Sequence, residues 1–225
     1  MVRATPVLIL TRPEPQSRGF LAELEDRLGR SVPAIVSPIL KIVELGESPD
    51  LDAFQTLIFT SGNGVKRVAD DLKGRNVVTV GKQTARYAEM AGATATCLGD
   101  TVEDFLANAA FIKSPALHVR GVHSRGDLAN RLSAQGTDVI EFVAYDQVEQ
   151  PISDDARRAL LAGTAIVPIF SPRSARLLSE YECHPSTRIL AISAAAAQEW
   201  AGQGLLEVAV RPDRQAMLDL VAGAF

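Results

Sequence analysis

Short unbroken runs of apolar residues alternate along this chain with longer stretches in which apolar positions recur every three or four residues. These are the marks of buried strands and of amphipathic helices. The sharpest transition lies at residues 57–72. Leu57-Ile58-Phe59 reads as a buried strand, Thr60-Ser61-Gly62-Asn63-Gly64 as a turn, and Val65, Val68, Ala69 and Leu72 as one face of a helix. Such a loop presents backbone N–H groups and hydroxyls at a helix N-terminus, where anions bind. The design returns half a chain later in Ile169-Phe170-Ser171-Pro172-Arg173-Ser174-Ala175. The repetition gives either copy its weight.

The same alternation runs through the rest of the first half. Residues 7–10 form a predicted strand that stops at Thr11-Arg12-Pro13. A helix follows over about 15–28, with Phe20, Leu21, Leu24 and Leu28 apolar and Gly29 closing it. Residues 32–38 are a second strand. Residues 39–45 stay extended but include Lys41 and Glu44, which suits a half-exposed linker. Ser48-Pro49 opens a short helix. The strand at 77–80 stops at Gly81, and Lys82-Gln83-Thr84 opens a helix that carries Ala85, Ala88 and Ala91 to Gly92. Residues 94–98 are a strand, Gly99-Asp100-Thr101 a turn, and a helix then reaches about Phe111.

The second half repeats the order. A strand at 116–120 leads to a donor-rich loop from Gly121 to Arg125, a helix at about 127–134 and Gly136. The strand at 139–143 continues into a mixed extended piece, 144–149. Pro151 and Ser153 start a helix, the second copy of the opening stretch follows, and Ser193 ends the strand 189–192 where Gly81 ended its counterpart. A helix at 194–201, Gly204, a strand at 207–210 and a helix at 214–222 complete the set. Residues 7–107 and 116–222 are thus two copies of about five strand–helix units, the pattern of an α/β protein with parallel sheets.

Composition narrows the class. The chain's 225 residues suffice for one large domain or two smaller ones with real cores. Hydrophobic content of 47% and charged content of 22% are those of a soluble globular protein, and no apolar run is long enough to span a membrane. A net charge of −4 provides no basic field for nucleic acid. No secretory h-region is visible at the N-terminus. Cys97 and Cys183 are far apart and read as idle thiols of a cytoplasmic protein.

Ligands of parallel α/β sheets bind beyond the carboxyl ends of the strands. The residues delivered there are Thr11-Arg12, Thr60-Ser61-Gly62-Asn63, Gly81, Arg120-Gly121, Ser171 and Ser193. They are hydroxyls, glycines, an amide and guanidiniums, without a carboxylate or a histidine, and such an array binds anions. Neither a Walker-type phosphate loop nor a dinucleotide fingerprint is present, so no cofactor is expected. His118, His123 and His184 share no ligand spacing and read as surface or packing residues, so no metal is expected. Asp154-Asp155 reads as the first turn of a helix, Ser61 taken alone as a helix cap, and Trp200 as core or interface.

Taken in order, Thr11-Arg12-Pro13, the run from Phe59 to Val65, Val80-Gly81-Lys82-Gln83-Thr84-Ala85, Val143-Ala144-Tyr145 and Phe170-Ser171-Pro172-Arg173-Ser174 resemble the uroporphyrinogen-III synthase family over nearly the whole chain. The resemblance implies a cofactor-free lyase of porphyrin and heme biosynthesis. Its substrate is the linear hydroxymethylbilane, which loses water, inverts its last pyrrole ring and closes to uroporphyrinogen III. The fold it implies is two similar flavodoxin-like parallel-sheet domains joined by a two-stranded β-ladder, with the substrate between them. Here that gives 1–38 with 150–225 as one discontinuous domain, 45–142 as the other, and 39–44 and 143–149 as linker strands.

Tyr145 matches the family tyrosine proposed to assist loss of the hydroxyl, and Thr84 the threonine of the first G-x-x-T-A pattern. The second half departs from that pattern in Ser193-Ala194-Ala195-Ala196-Ala197. The polycarboxylate substrate accounts for strand ends that offer donors and no acids. A monomer that receives its substrate from hydroxymethylbilane synthase is expected. The alternative from the residues alone is a non-catalytic two-lobed binding protein for a small polyanionic ligand.

Overall fold

The computed structural model describes residues 5–124 and 126–225. Arg125, at the end of the donor-rich loop, and residues 1–4 of the expected first domain lie outside them. In chain order the elements are β1 (Val7–Leu10), α1 (Glu14–Leu28), β2 (Ala34–Val36), β3 (Leu40–Glu44), β4 (Thr56–Phe59), α2 (Gly62–Arg67), β5 (Asn76–Val80), α3 (Lys82–Met90), β6 (Thr94–Gly99) and α4 (Val102–Ala107). There follow β7 (Ala116–Gly121), α5 (Leu128–Ala134), β8 (Val139–Glu149), α6 (Asp154–Leu161), β9 (Ala165–Ile169), α7 (Pro172–Leu178), β10 (Arg188–Ala191), α8 (Ala194–Gln198), β11 (Leu205–Val208) and α9 (Arg214–Ala222).

These elements build two compact units. One takes the chain up to Lys41 together with Glu149–Phe225, the other Ile42–Val148. The first holds a five-stranded sheet in the order β11-β10-β9-β1-β2, whose recorded pairings are all parallel. Counted along its own chain this is the 2-1-3-4-5 order of flavodoxin-like sheets. The second holds a six-stranded sheet, β3-β8-β7-β4-β5-β6. Its parallel part, β8-β7-β4-β5-β6, has the same order if the count starts at β7. The first sheet therefore takes two strands from the first sequence repeat and three from the second, and the second sheet takes four from the first and two from the second.

Both sheets are covered on both faces, as the unbroken apolar strands require. In the first unit Ile9, Val167, Ile169 and Ile189 pack under α6, α7 and α8, while Leu8, Leu10, Ile166 and Leu190 face Phe20 and Leu24 of α1 and Met217 and Val221 of α9. In the second, Leu57, Phe59, Leu117 and Val119 pack under α2 and α3, and Ile58, Leu98 and Ala116 under α4 and α5.

Local differences from the sequence reading have local causes. The helix expected to run through Leu72 breaks at Val68, whose φ of −123° and ψ of 21° are not helical, and resumes as a 3₁₀ turn at Ala69–Asp71. The short helix expected at Ser48-Pro49 is a 3₁₀ turn at Leu51–Ala53, begun by the Asp50 carboxylate accepting from the Asp52 N–H. The helix expected over 194–201 ends at Gln198. The strand expected to continue through the mixed stretch 144–149 does so: β8 runs unbroken from Val139 to Glu149, and its mixed polarity follows from its partial exposure. The last strand is Leu205–Val208 rather than 207–210, because Leu205 donates to the Thr187 carbonyl and Ala209 to that of Ala191.

The chain passes between the units within β3 and within β8. At that point Gln150 N–H donates to the Ile39 carbonyl at 3.0 Å, so the two segments of the first unit are neighbours. Residues 42–148 expressed alone, and residues 1–41 joined to 149–225 by a short Gly-Ser connection, should each unfold cooperatively in urea with a slope of about 1–3 kcal/mol/M. The sequence repeat 7–107, which separates β1 from β9, should not. Cooperative unfolding of 7–107 would contradict this division.

Candidate functional site

In each sheet the strand order reverses between two neighbouring strands, and the loops that leave those strands diverge to form a crevice. In the second unit these strands are β4 and β7, which end at Thr60-Ser61-Gly62 and Arg120-Gly121. In the first unit they are β1 and β9, which end at Thr11-Arg12 and Phe170-Ser171. Most of the predicted binding residues therefore lie at the two reversal points.

On the α2/α3 face of the second unit, Ser61 is the N-cap of α2 and its Oγ accepts from the Gly64 N–H at 3.2 Å. The same oxygen lies 2.7 Å from the hydroxyl of Tyr145, on β8. Tyr145 is only 6% exposed. Its ring lies on Gly121, where an added Cβ would stand 2.6 Å from Cε2, so glycine is what allows the ring this position. Gly62 and Asn63 form the first turn of α2, and Gly62 abuts the ring of Tyr87. Further along the sheet edge, Gly81 precedes α3 with φ 79° and ψ 133°, a conformation open to glycine. Its N–H donates to the Gly99 carbonyl at 2.7 Å, so Gly81 shapes the turn and the donors there are the first-turn N–H groups of α3. Thr84 is buried in that turn, its N–H bonded to the Gly81 carbonyl.

The α4/α5 face of the same strand ends carries a second set. Alternation along β7 puts His118 and Arg120 on the face of Ala116, and the register pairs His118 with Ile58 of β4 and with Glu141 of β8. The His118 ring is 2% exposed, with Nε2 3.4 Å from Thr60 Oγ1, and with Nδ1 3.4 Å from Glu141 Oε1 but not aligned for a hydrogen bond. Arg120 Nη2 donates to Glu141 Oε2 at 2.8 Å, and Nη1 donates to the Gly121 carbonyl at 3.0 Å. Its Nε lies 2.7 Å from Oε1 but is not aligned for a hydrogen bond. Burial pulls the His118 pKa down to about 4, against the opposing pull of Glu141. The bond from Arg120 holds the Glu141 carboxyl below its usual range. A neutral imidazole thus sits between a hydroxyl and an ionised carboxylate. Arg120, predicted as a substrate donor, has an acidic partner within its own unit.

The first unit repeats the capping chemistry without the tyrosine. Ser171 caps α7 by accepting from the Ser174 N–H at 3.1 Å, and Ser193 caps α8 by accepting from the Ala196 N–H at 3.2 Å. Thr11 is buried, with its carbonyl accepting from the Ile39 N–H. The Arg12 guanidinium lies over the Phe170 ring, 4.6 Å from its centroid, and Phe170 meets Phe20 edge-on. Asp154 and Asp155 occupy the first turn of α6, and Trp200 packs against the core beside α8.

The sequence model described as uroporphyrinogen-III synthase HemD matches residues 21–219, most of the chain. This chain belongs to the uroporphyrinogen-III synthase family. It is accordingly a lyase-type enzyme of tetrapyrrole biosynthesis. Among solved structures, the uroporphyrinogen-III synthetase from Helicobacter pylori 26695 is similar, with a TM-score of 0.68 and 16% identity over 99% of this chain and 100% of that one. A mutant uroporphyrinogen III synthase from the extremely thermophilic bacterium Thermus thermophilus is similar at a TM-score of 0.51 and 15% identity, covering 98% of each chain. At these identities the likeness concerns the fold, a two-domain α/β architecture with parallel sheets. No individual curated protein matches the sequence.

In this synthase-family chain, no group of three or more His, Cys, Asp or Glu side chains among the described residues could hold a metal ion. No described helix is long and apolar enough to cross a membrane. The sequence alone presents His118 as a surface or packing residue and does not single out Glu141. The signal was a lone imidazole inside the apolar run Ala116-Leu117-His118-Val119, but its partner becomes visible only through the β7–β8 register.

The depressed His118 pKa has a consequence for stability. Below about pH 6.5 an unfolded histidine takes up a proton, whereas the folded one refuses it until about pH 4. The contribution is thus fully present above pH 6.5 and is lost as the pH falls toward 4, by up to ~3 kcal/mol. Urea unfolding between pH 4.5 and 7.5 should show this slope in the wild type and a shallower one in His118→Gln, which cannot titrate. Equal slopes would mean that the ring takes up its proton at the same pH in the fold as in the unfolded chain.

Proposed function

We propose that the chain converts hydroxymethylbilane to uroporphyrinogen III by a cofactor-free dehydration and ring closure that inverts the last pyrrole ring, which makes it a hydro-lyase. The observation that carries this is the family match over residues 21–219. In this reading Ser61 accepts from Gly64 and donates to Tyr145, as the 2.7 Å contact permits. A phenol that accepts such a bond keeps its own hydrogen for the departing hydroxyl of the substrate. The electron-rich pyrrole stabilises the cation left behind, so Tyr145 need only donate a hydrogen bond. Each unit offers a donor set to substrate carboxylates: Arg12 with the cap regions of Ser171 and Ser193 in the first, and Asn63, Arg120 and the turns at Gly62, Gly81 and Thr84 in the second. A cytoplasmic monomer that takes its substrate from hydroxymethylbilane synthase completes the proposal. No observation favours the binding-protein alternative.

Incubation with hydroxymethylbilane tests the reading: the III isomer is expected, while a mere binder leaves the spontaneous closure to isomer I. Within that assay Gly81→Val should reduce III-isomer formation far more than Tyr145→Phe. A Cβ at Gly81 meets nothing within 4 Å, so the space there is open to a ligand. A branched side chain would obstruct it and would strain a positive φ by about 1–3 kcal/mol. A committed general acid contributes ~10²–10⁴-fold, and Tyr145→Phe should cost less than that. Loss of all catalysis in Tyr145→Phe, with Gly81→Val still active, would assign Tyr145 the larger role.

A further inference from the structure

Of the chain Thr60–His118–Glu141–Arg120, only Arg120 enters the reading above, as a donor to substrate carboxylates. The four groups nevertheless fix one another's protons. Burial keeps the His118 imidazole neutral, so it carries a single ring proton. Arg120 keeps Glu141 ionised, and an ionised carboxylate only accepts. Nδ1 faces the Glu141 carboxylate at 3.4 Å without being aligned for a hydrogen bond, and the negative charge on that side draws the ring proton to Nδ1. Nε2 is then a bare acceptor, 3.4 Å from Thr60 Oγ1, and the Thr60 hydroxyl donates to it. A hydroxyl whose hydrogen is turned inward presents only lone pairs outward. Thr60 is half-buried at the end of β4, one residue before Ser61.

We propose that Glu141 and His118 are positioning residues that hold the Thr60 hydroxyl as a hydrogen-bond acceptor, and that Thr60 accepts from a pyrrole N–H of the substrate. The ligand half of this rests on the function proposed above. A linear tetrapyrrole brings two kinds of polar group to its site: carboxylates, which need donors, and pyrrole N–H groups, which need acceptors. Arg12, Arg120 and the first-turn N–H groups can serve only the carboxylates. A free hydroxyl could serve either, whereas the fixed hydroxyl of Thr60 serves the pyrrole and opposes a carboxylate. It thereby sets which part of the substrate lies against β4.

The ring-nitrogen NMR spectrum of protein labelled with ¹⁵N-histidine reads the first half directly. In the wild type at neutral pH, His118 should show a protonated Nδ1 and an unprotonated Nε2. In Glu141→Gln the amide oxygen stays with Arg120 Nη2 and the amide N–H₂ turns to Nδ1. The ring proton then moves to Nε2, and the Thr60 hydrogen turns outward. The KM for hydroxymethylbilane should rise about tenfold, as for one hydrogen bond reversed, while kcat changes by less than about twofold. Thr60→Val should raise KM similarly, Glu141→Gln should add nothing in that background, and Thr60→Ser should retain the wild-type value.

A wild-type ring proton on Nε2 would overturn the proposal. So would an unchanged KM in a Glu141→Gln variant whose ring proton has moved, or an undiminished effect of Glu141→Gln in Thr60→Val. If Glu141→Gln does not fold, the wild-type spectrum and Thr60→Val decide between them. Wild-type protein that left hydroxymethylbilane to spontaneous closure would overturn the functional reading and the ligand with it. The spectrum would still decide the orientation of the hydroxyl.

Discussion

A parallel strand in the middle of a sheet needs a partner on each side and cover on both faces, and β1 and β7 each find their two partners in different halves of the chain. β1 lies between β2, close in sequence, and β9, far from it; β7 lies between β8 and the earlier β4. Neither sequence repeat can satisfy this alone. If β1 were separated from β9, Leu8, Ile9 and Leu10 would lose the neighbours that make them fully buried, and burying one such side chain is worth about 1.5–3 kcal/mol. The exchange of strands between repeats forces the chain to pass twice between the units, which is why β3 and β8 must exist. It also places the order reversal beside β1 and β7, so it decides where the loops diverge.

What those loops carry follows from a second constraint. Helices that begin at a strand end leave N–H groups to be satisfied, and Ser61, Ser171 and Ser193 each do this from an extended backbone, with φ between −155° and −159°. Capping fixes these hydroxyls before any ligand arrives. Ser61 differs in the source of its second bond, which comes from Tyr145 on another strand, whereas that of Ser171 comes from the Ser174 hydroxyl in its own helix. The Tyr145 contact depends in turn on Gly121, since any side chain there would meet the ring. The other face of the same strand ends is organised by charge rather than by caps. Arg120 and Glu141 neutralise each other beside an imidazole that burial keeps neutral. One pair of strand ends thus carries a hydroxyl–phenol pair on one face and a hydroxyl–imidazole–carboxylate chain on the other.

The sequence shows one of these levels far better than the other. The alternation of apolar runs and helical spacings places nearly every element, because both faces of each sheet are buried and the strands are apolar throughout. Elements at the margin are harder to read. β11 lies at the sheet edge, where Leu205 is 56% exposed, so apolar residues there do not mark a core. β8 reads as mixed because it is only partly covered. The strand-end residues Ser61, Gly121 and Ser171 are legible because loops beyond the carboxyl ends of parallel strands follow from topology. His118 and Glu141 are not: they lie 23 residues apart, and only the parallel register makes them neighbours. Nor does the sequence reveal that Arg120 is paired, since its acid lies on the adjacent strand.

A site of hydroxyls, turns and paired charges is adequate for the closure proposed here because the outcome concerns which isomer forms more than whether closure occurs. Ring closure proceeds without a protein; the protein has to direct the last ring to its substituted position. A hundredfold preference between two competing closures corresponds to about 2.7 kcal/mol in relative barrier. One net hydrogen bond contributes about 0.5–1.5 kcal/mol, so about two to five contacts made better in one arrangement than in the other can supply it. Such contacts can be spread over Thr60, Ser61, Tyr145 and the turn at Gly81 without any one of them being indispensable. They must, however, be rigid, since a donor that follows the substrate into either arrangement favours neither. Rigidity is the property these residues share. The serines are held by caps, Tyr145 by Ser61 and Gly121, Arg120 by Glu141, and Gly81 by a backbone conformation that other residues rarely adopt.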